Sequence, residues 1–378
     1  MIPADGQVLL VGSVARREDG WGVEDVFRRC AGVLGTRAAM LPDGEIGPRQ
    51  TWIVYLARGT YLPHPDIELR HPTPAQAADP TWVPRDYDDQ FLFRVGDDVE
   101  RLRFGPLGYA DEARRSYAVF RGLREEGAIP DGVRFMVALP LLESGTRRFF
   151  DRPRDFELVW DGYAEALRRE VAEITATIPA DELAIQWDMV AETYAIEGGM
   201  MRFDSASLQR LPADPWERYR LAIATCCADI PADVWVGLHI CYGSLGQKAG
   251  ASTDQAHVTR IDDLSTSVAM FNVAAQAAGR ALEFVHMSVP LSSGFDERYY
   301  APLADLELDG ARLYLGLVHL HDGVDGAARR AELARRYAPE FGVATECGWG
   351  RRPPSQSIED LLELERDVAD ALAERAAT

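Results

Sequence analysis

Short, almost wholly apolar runs recur along this chain. Between them lie longer stretches whose apolar residues return every three or four positions. The runs begin with Gln7–Gly12 and continue at Arg37–Leu41, Val133–Leu139, Leu183–Trp187, Val234–Leu238, Leu282–Val285, Arg312–Val318 and Phe341–Thr345. A continuous apolar run, without alternation, is the mark of a strand buried on both faces. The intervening spacing predicts helices over Trp21–Leu34, Leu107–Glu126, Phe156–Ile178, Pro215–Ile230, Ile261–Ala278, Ala327–Tyr337 and Ser357–Arg375. Strands that alternate with helices pair in parallel. Eight of them predict an α/β fold: one (β/α)8 TIM barrel domain spanning residues 1–378. A doubly wound open sheet is the alternative, but no strand is followed by the glycine fingerprint of a dinucleotide fold.

One interval breaks the alternation. Residues from about 50 to 131 form a long insertion after the second strand, with an irregular Pro- and His-containing stretch over His64–Pro84. Excursions of that length more often cover a site or make an interface than idle.

Chemistry concentrates where the strands end. His239-Ile240-Cys241 closes the fifth run, and residues at i and i+2 of an extended segment face the same side. His286 follows the sixth run and Cys347 the last. In a barrel these C-terminal strand ends form the site. A lone Cys or His is usually core, but four together make a mixed nitrogen–sulfur set that suits zinc. His239, Cys241, His286 and Cys347 are therefore the expected metal ligands. Ser13, Asp43, Glu45, Asp188 and His319 fall at the same level. His319, or His321 two residues on, is placed to act as a general acid, or else to hydrogen-bond a ligand. Arg49, Arg351 and Arg352 lie near the mouth, where they either grip a substrate carboxylate or face solvent.

Composition narrows the partners. The 378-residue chain has 47% apolar residues and a net charge of −20, which argues against nucleic acid or an anionic membrane surface. Basic charge is almost all arginine, Lys248 being the only lysine. The five cysteines show no framework spacing, and the sequence has neither an apolar leader nor a membrane-length apolar run. A cytoplasmic, reduced protein is expected. Cys30, Cys226 and Cys227 read as structural.

These residues resemble the zinc-dependent catalytic barrel of cobalamin-independent methionine synthase, in the superfamily that includes uroporphyrinogen decarboxylase. His239-Ile240-Cys241-Tyr242, Glu346-Cys347-Gly348 and Val318-His319 are similar to the zinc and histidine motifs of that family. Val11-Gly12-Ser13 resembles its carboxylate-holding Gly-Ser. Asp43-Gly44-Glu45 and Ile185-Gln186-Trp187-Asp188 are similar to segments whose acids face the substrate ammonium. The resemblance implies substrate contacts at Gly12, Ser13, Asp43, Glu45 and Asp188. It also implies a zinc-activated homocysteine-like thiol that accepts a methyl group from a small-molecule donor. The family carries a glutamate ligand where this chain has His286, with Glu283 three residues earlier. A zinc-assisted lyase or decarboxylase, or a non-catalytic metal- or thiol-binding protein, are the competing readings.

Overall fold

The computed structural model describes residues 6–82, 84, 89–199, 202–243, 262–352 and 355–376. Lys248 and the start of the helix expected from Ile261 lie outside them, as does the Arg351 side chain. Nine strands are named among the described residues. They are β1 (Met40–Pro42), β2 (Ile67–His71), β3 (Leu92–Val95), β4 (Arg134–Pro140), β5 (Leu183–Met189), β6 (Trp235–Ile240), β7 (Phe284–Ser288), β8 (Arg312–Val318) and β9 (Gly342–Thr345). Seven make one parallel sheet in the order β1-β4-β5-β6-β7-β8-β9. Helices fill most of the crossovers; the longest, Pro153–Thr177, begins at a proline whose missing N–H costs the first turn nothing.

The first apolar run is not a full strand. Val8 makes single parallel bridges to Ala38 and to Val343, and so touches both edges of the sheet. Val8 N–H donates to Arg37 O, and Leu9 N–H donates to Val343 O, each at 2.9 Å.

Two cores result. The larger lies between sheet and helices. The smaller joins Leu9, Val11, Met40, Met136, Ala184, Phe284, Tyr314 and Ala344, so it draws on the first run as well as on the sheet. Glycines make room for its aromatic rings. A Cβ on Gly237 would meet the Phe284 ring at 2.4 Å, and one on Gly342 would meet Tyr314 at 2.5 Å.

The insertion carries structure that the sequence pattern hides. β2 and β3 form a two-stranded antiparallel sheet of their own, and a short helix, Ile53–Leu56, opens the segment.

Candidate metal centre

Strand pairing sets the geometry of the centre. Asp188 on β5 is in register with His239 on β6, which is in register with His286 on β7. The ladder runs one residue past β6, where Cys241 N–H donates to Met189 O at 3.0 Å. Cys241 thus stands two residues beyond His239 on the same face. Cys347, two residues past β9, arrives from the other side. His239, Cys241 and Cys347 offer donor atoms that all lie within 4.8 Å of one another.

Those spacings test whether a zinc ion fits. Two sulfurs each about 2.3 Å from a tetrahedral zinc stand about 3.8 Å apart. Cys241 Sγ and Cys347 Sγ are 3.7 Å apart, and Cys347 Sγ is 3.8 Å from His239 Nε2. All five cysteines are thiols. Among the described residues, this two-sulfur, one-nitrogen set and the two spacings through Cys347 fit zinc.

His286 is not in that donor group. Its Nε2 lies 3.0 Å from the Thr345 carbonyl and its Nδ1 lies 2.8 Å from His239 Nδ1. Burial, and then His239, push its pKa well below the ordinary value. A carbonyl only accepts, so the His286 proton is on Nε2 and its Nδ1 is the acceptor. His239 therefore carries its proton on Nδ1 and turns the Nε2 lone pair toward Cys347. The alternative glutamate, Glu283, stands at the opposite end, before β7, where its carboxylate accepts from Val236 N–H at the start of β6.

The expected substrate residues assemble beside this centre, with two exceptions. Gln186 Nε2 donates to Val11 O at 2.5 Å and to Asp188 Oδ1 at 2.8 Å, tying Asp188 to the Gly12-Ser13 segment. A Cβ on Gly12 would stand 3.7 Å from Glu45 Oε1, and one on Gly348 would collide with Ser13 Oγ at 2.4 Å. Glu45 sits at φ 52, a left-handed conformation that a non-glycine residue adopts only when its surroundings impose it. The exceptions are Asp43 and Arg49. Arg49 Nη2 is 2.6 Å from Asp43 Oδ2, and both are buried. Ser116 Oγ donates to the same oxygen at 2.7 Å, and Glu45 N–H donates to Oδ1 at 3.0 Å. Burial raises the Asp43 pKa, but the Arg49 charge and these hydrogen bonds outweigh it and hold the carboxyl below its usual range. The pair braces the loop that presents Glu45.

Of the remaining candidates, His319 is buried with Nε2 2.9 Å from Val289 O. His321 is exposed in a turn after β8, so it does not share an extended face with His319. Arg352 is buried and bound to Asp19 at 2.6 Å, which makes it a brace between loops.

Set against known proteins, the likeness is carried by the fold. No family model matches the sequence, and no curated protein matches it. A B12-independent methionine synthase from Shewanella sp. W3-18-1, solved in complex with selenomethionine, superposes with a TM-score of 0.62 over 98% of each chain at 14% identity. A putative vitamin-B12-independent methionine synthase from Listeria monocytogenes gives 0.56 over 98% of each chain at 13% identity. The chain has the fold of the B12-independent methionine synthases.

On that fold two aromatic residues that periodicity does not reveal stand beside the cysteines, Trp52 from the insertion and Tyr194 from the segment after β5. Trp52, at the start of the insertion, packs with Cys347 against a buried cluster of Val190, Tyr194 and Cys241. Trp52 is itself held at φ 44. An aromatic three residues after Arg49 and a tyrosine six residues past Asp188 were the available signals. Neither differs in pattern from ordinary core.

Proposed function

We propose that this chain is a zinc-dependent, methionine-synthase-like methyltransferase acting on a small amino-acid thiol such as homocysteine. The observation that carries the reading is the His239–Cys241–Cys347 triad at tetrahedral spacing on this fold. We further read the chain as one domain in which Gln7–Leu9 supplies the eighth strand of a closed (β/α)8 barrel; the bridges to Ala38 and Val343 support that closure.

His239 Nε2, Cys241 Sγ and Cys347 Sγ would hold the ion. Bound there, zinc lowers the pKa of a coordinated thiol so that sulfur is the nucleophile near neutral pH. Asp188 and Glu45 take the substrate ammonium, and Ser13 with the adjacent backbone takes its carboxylate. Trp52 and Tyr194 keep water from the sulfur face. His319, held on Val289 O through Nε2, would protonate the leaving group of the methyl donor. Among the described residues no helix is long and apolar enough to cross a membrane, and the net charge of −20 disfavours nucleic acid as a partner.

The test is zinc content followed by product mass. Purified protein is expected to hold one zinc per chain, and Cys241→Ser with Cys347→Ser to lose it, because thiolates supply much of the affinity. Full zinc occupancy in the double variant refutes the ligand assignment. Incubation with candidate thiols and methyl donors should yield the methylated thiol; carbon dioxide or an elimination product would instead favour the lyase reading.

A further inference from the structure

His286 has a partner on each side, and the second lies two strands away. To reach Thr345 on β9, its ring crosses β8 above Gly316. A Cβ on Gly316 would meet His286 Nε2 at 2.9 Å, Thr345 O at 2.9 Å and Glu346 Cα at 2.8 Å. That glycine is therefore the gap through which the hydrogen bond passes. Thr345 is anchored on every polar atom. Its N–H donates to Glu365 Oε1 at 3.0 Å, its Oγ1 donates to Cys347 O at 2.8 Å, and Trp349 Nε1 donates to Oγ1 at 2.7 Å. His286, Thr345, Trp349 and Glu365 are all buried.

We infer that His286, passing over Gly316 to Thr345, is a positioning residue that fixes the tautomer and orientation of His239 and locks it to the peptide that also carries Cys347. Two donors from distant parts of the chain are thereby held by one hub, Thr345. An imidazole ligand whose other nitrogen is engaged presents its lone pair in a single orientation. The functional meaning of the clamp rests on the metal reading above, but the clamp itself is made by the chain's own residues.

Three variants test it. His286→Leu removes both hydrogen bonds. His286→Asn keeps an acceptor near the Nδ1 position. Gly316→Ala leaves both histidines in the sequence but fills the gap, with its Cβ against His286 Nε2 and Thr345 O. In chelator competition, His286→Leu and Gly316→Ala should weaken zinc binding by roughly 10- to 100-fold, and His286→Asn should recover most of the loss. X-ray absorption should show the same two sulfurs and one protein nitrogen in the parent and in His286→Leu. Zinc binding of His286→Leu at parental affinity, or loss of a nitrogen from its coordination shell, overturns the inference. Nitrogen-15 spectra of the metal-free parent should show His239 protonated at Nδ1 only. Protonation at Nε2 overturns the clamp, and this measurement stands even if the protein binds no zinc or if His286→Leu does not fold.

Discussion

Replacing Asp43 should damage the fold before it damages chemistry. The carboxylate meets Arg49 at 2.6 Å, with side-chain exposures of 7% and 10% for Asp43 and Arg49. Asp43→Ala deletes the counter-charge and two further hydrogen bonds, and it leaves the guanidinium buried without its partner. Breaking a buried pair in this way costs about 3–5 kcal/mol. The double variant Asp43→Ala/Arg49→Met removes both charges and should recover most of that loss, since an apolar replacement of a buried pair is often close to neutral. The sign with pH follows from the depressed pKa of Asp43. Its contribution is present above the carboxyl's unfolded value of about 3.9 and is lost as pH falls through the lower folded value. The pair should therefore hold constant through neutral and mildly acidic pH and fail only in strong acid. Urea unfolding of the single and double variants at pH 7, repeated down to pH 3, measures all of this. If Asp43→Ala stays within about 1 kcal/mol of the parent, the carboxylate is no brace, and a role in holding substrate returns.

Two further outcomes follow from groups near the strand ends. Burial, and then Glu143, raise Glu192 from 4.5 to about 7. Its stabilising contribution is therefore full below about pH 4.5 and declines as pH rises through about 7, so unfolding free energy should fall over that window in the parent and level off in Glu192→Gln. Asp188→Asn keeps the oxygen that accepts from Gln186 and should retain zinc, yet weaken calorimetric binding of an amino-acid thiol by about 2 kcal/mol or more. Equal binding by the parent of thiols with and without an amino group would assign Asp188 another task.

The parallel sheet was legible because its strands are buried on both faces. Runs such as Arg312–Val318 and Leu183–Trp187 therefore announce themselves without help from their neighbours. The insertion was not. β2 shows alternating burial, pairs with a strand more than twenty residues away, and lies among prolines that break any period. The first run misled in the other direction. Its apolar residues reach the core as expected, but only Val8 makes ladder bridges, and hydrophobicity reports burial rather than hydrogen bonding.

The site divides along the same physical line. Alternation correctly puts His239 and Cys241 on one face, because that follows from backbone geometry alone. It says nothing of depth, and depth decides the place of His286. The apolar run at Leu282 suggests a strand that ends before the histidine, whereas β7 starts at Phe284 and carries His286 at its centre. Register then sets it level with His239, two residues below Cys241. From that depth it meets the inner nitrogen of His239 and not an ion held among Nε2, Cys241 and Cys347. The family glutamate invited the expectation of a replacement ligand at this point, whereas here both nitrogens of the ring lie against protein partners, His239 Nδ1 and Thr345 O. The sequence does contain a trace of the arrangement: Gly316 interrupts an otherwise bulky strand, Leu313-Tyr314-Leu315-Gly316-Leu317. A glycine in a buried strand marks a close approach. What it makes room for becomes readable only once β7 and β9 are known to flank it.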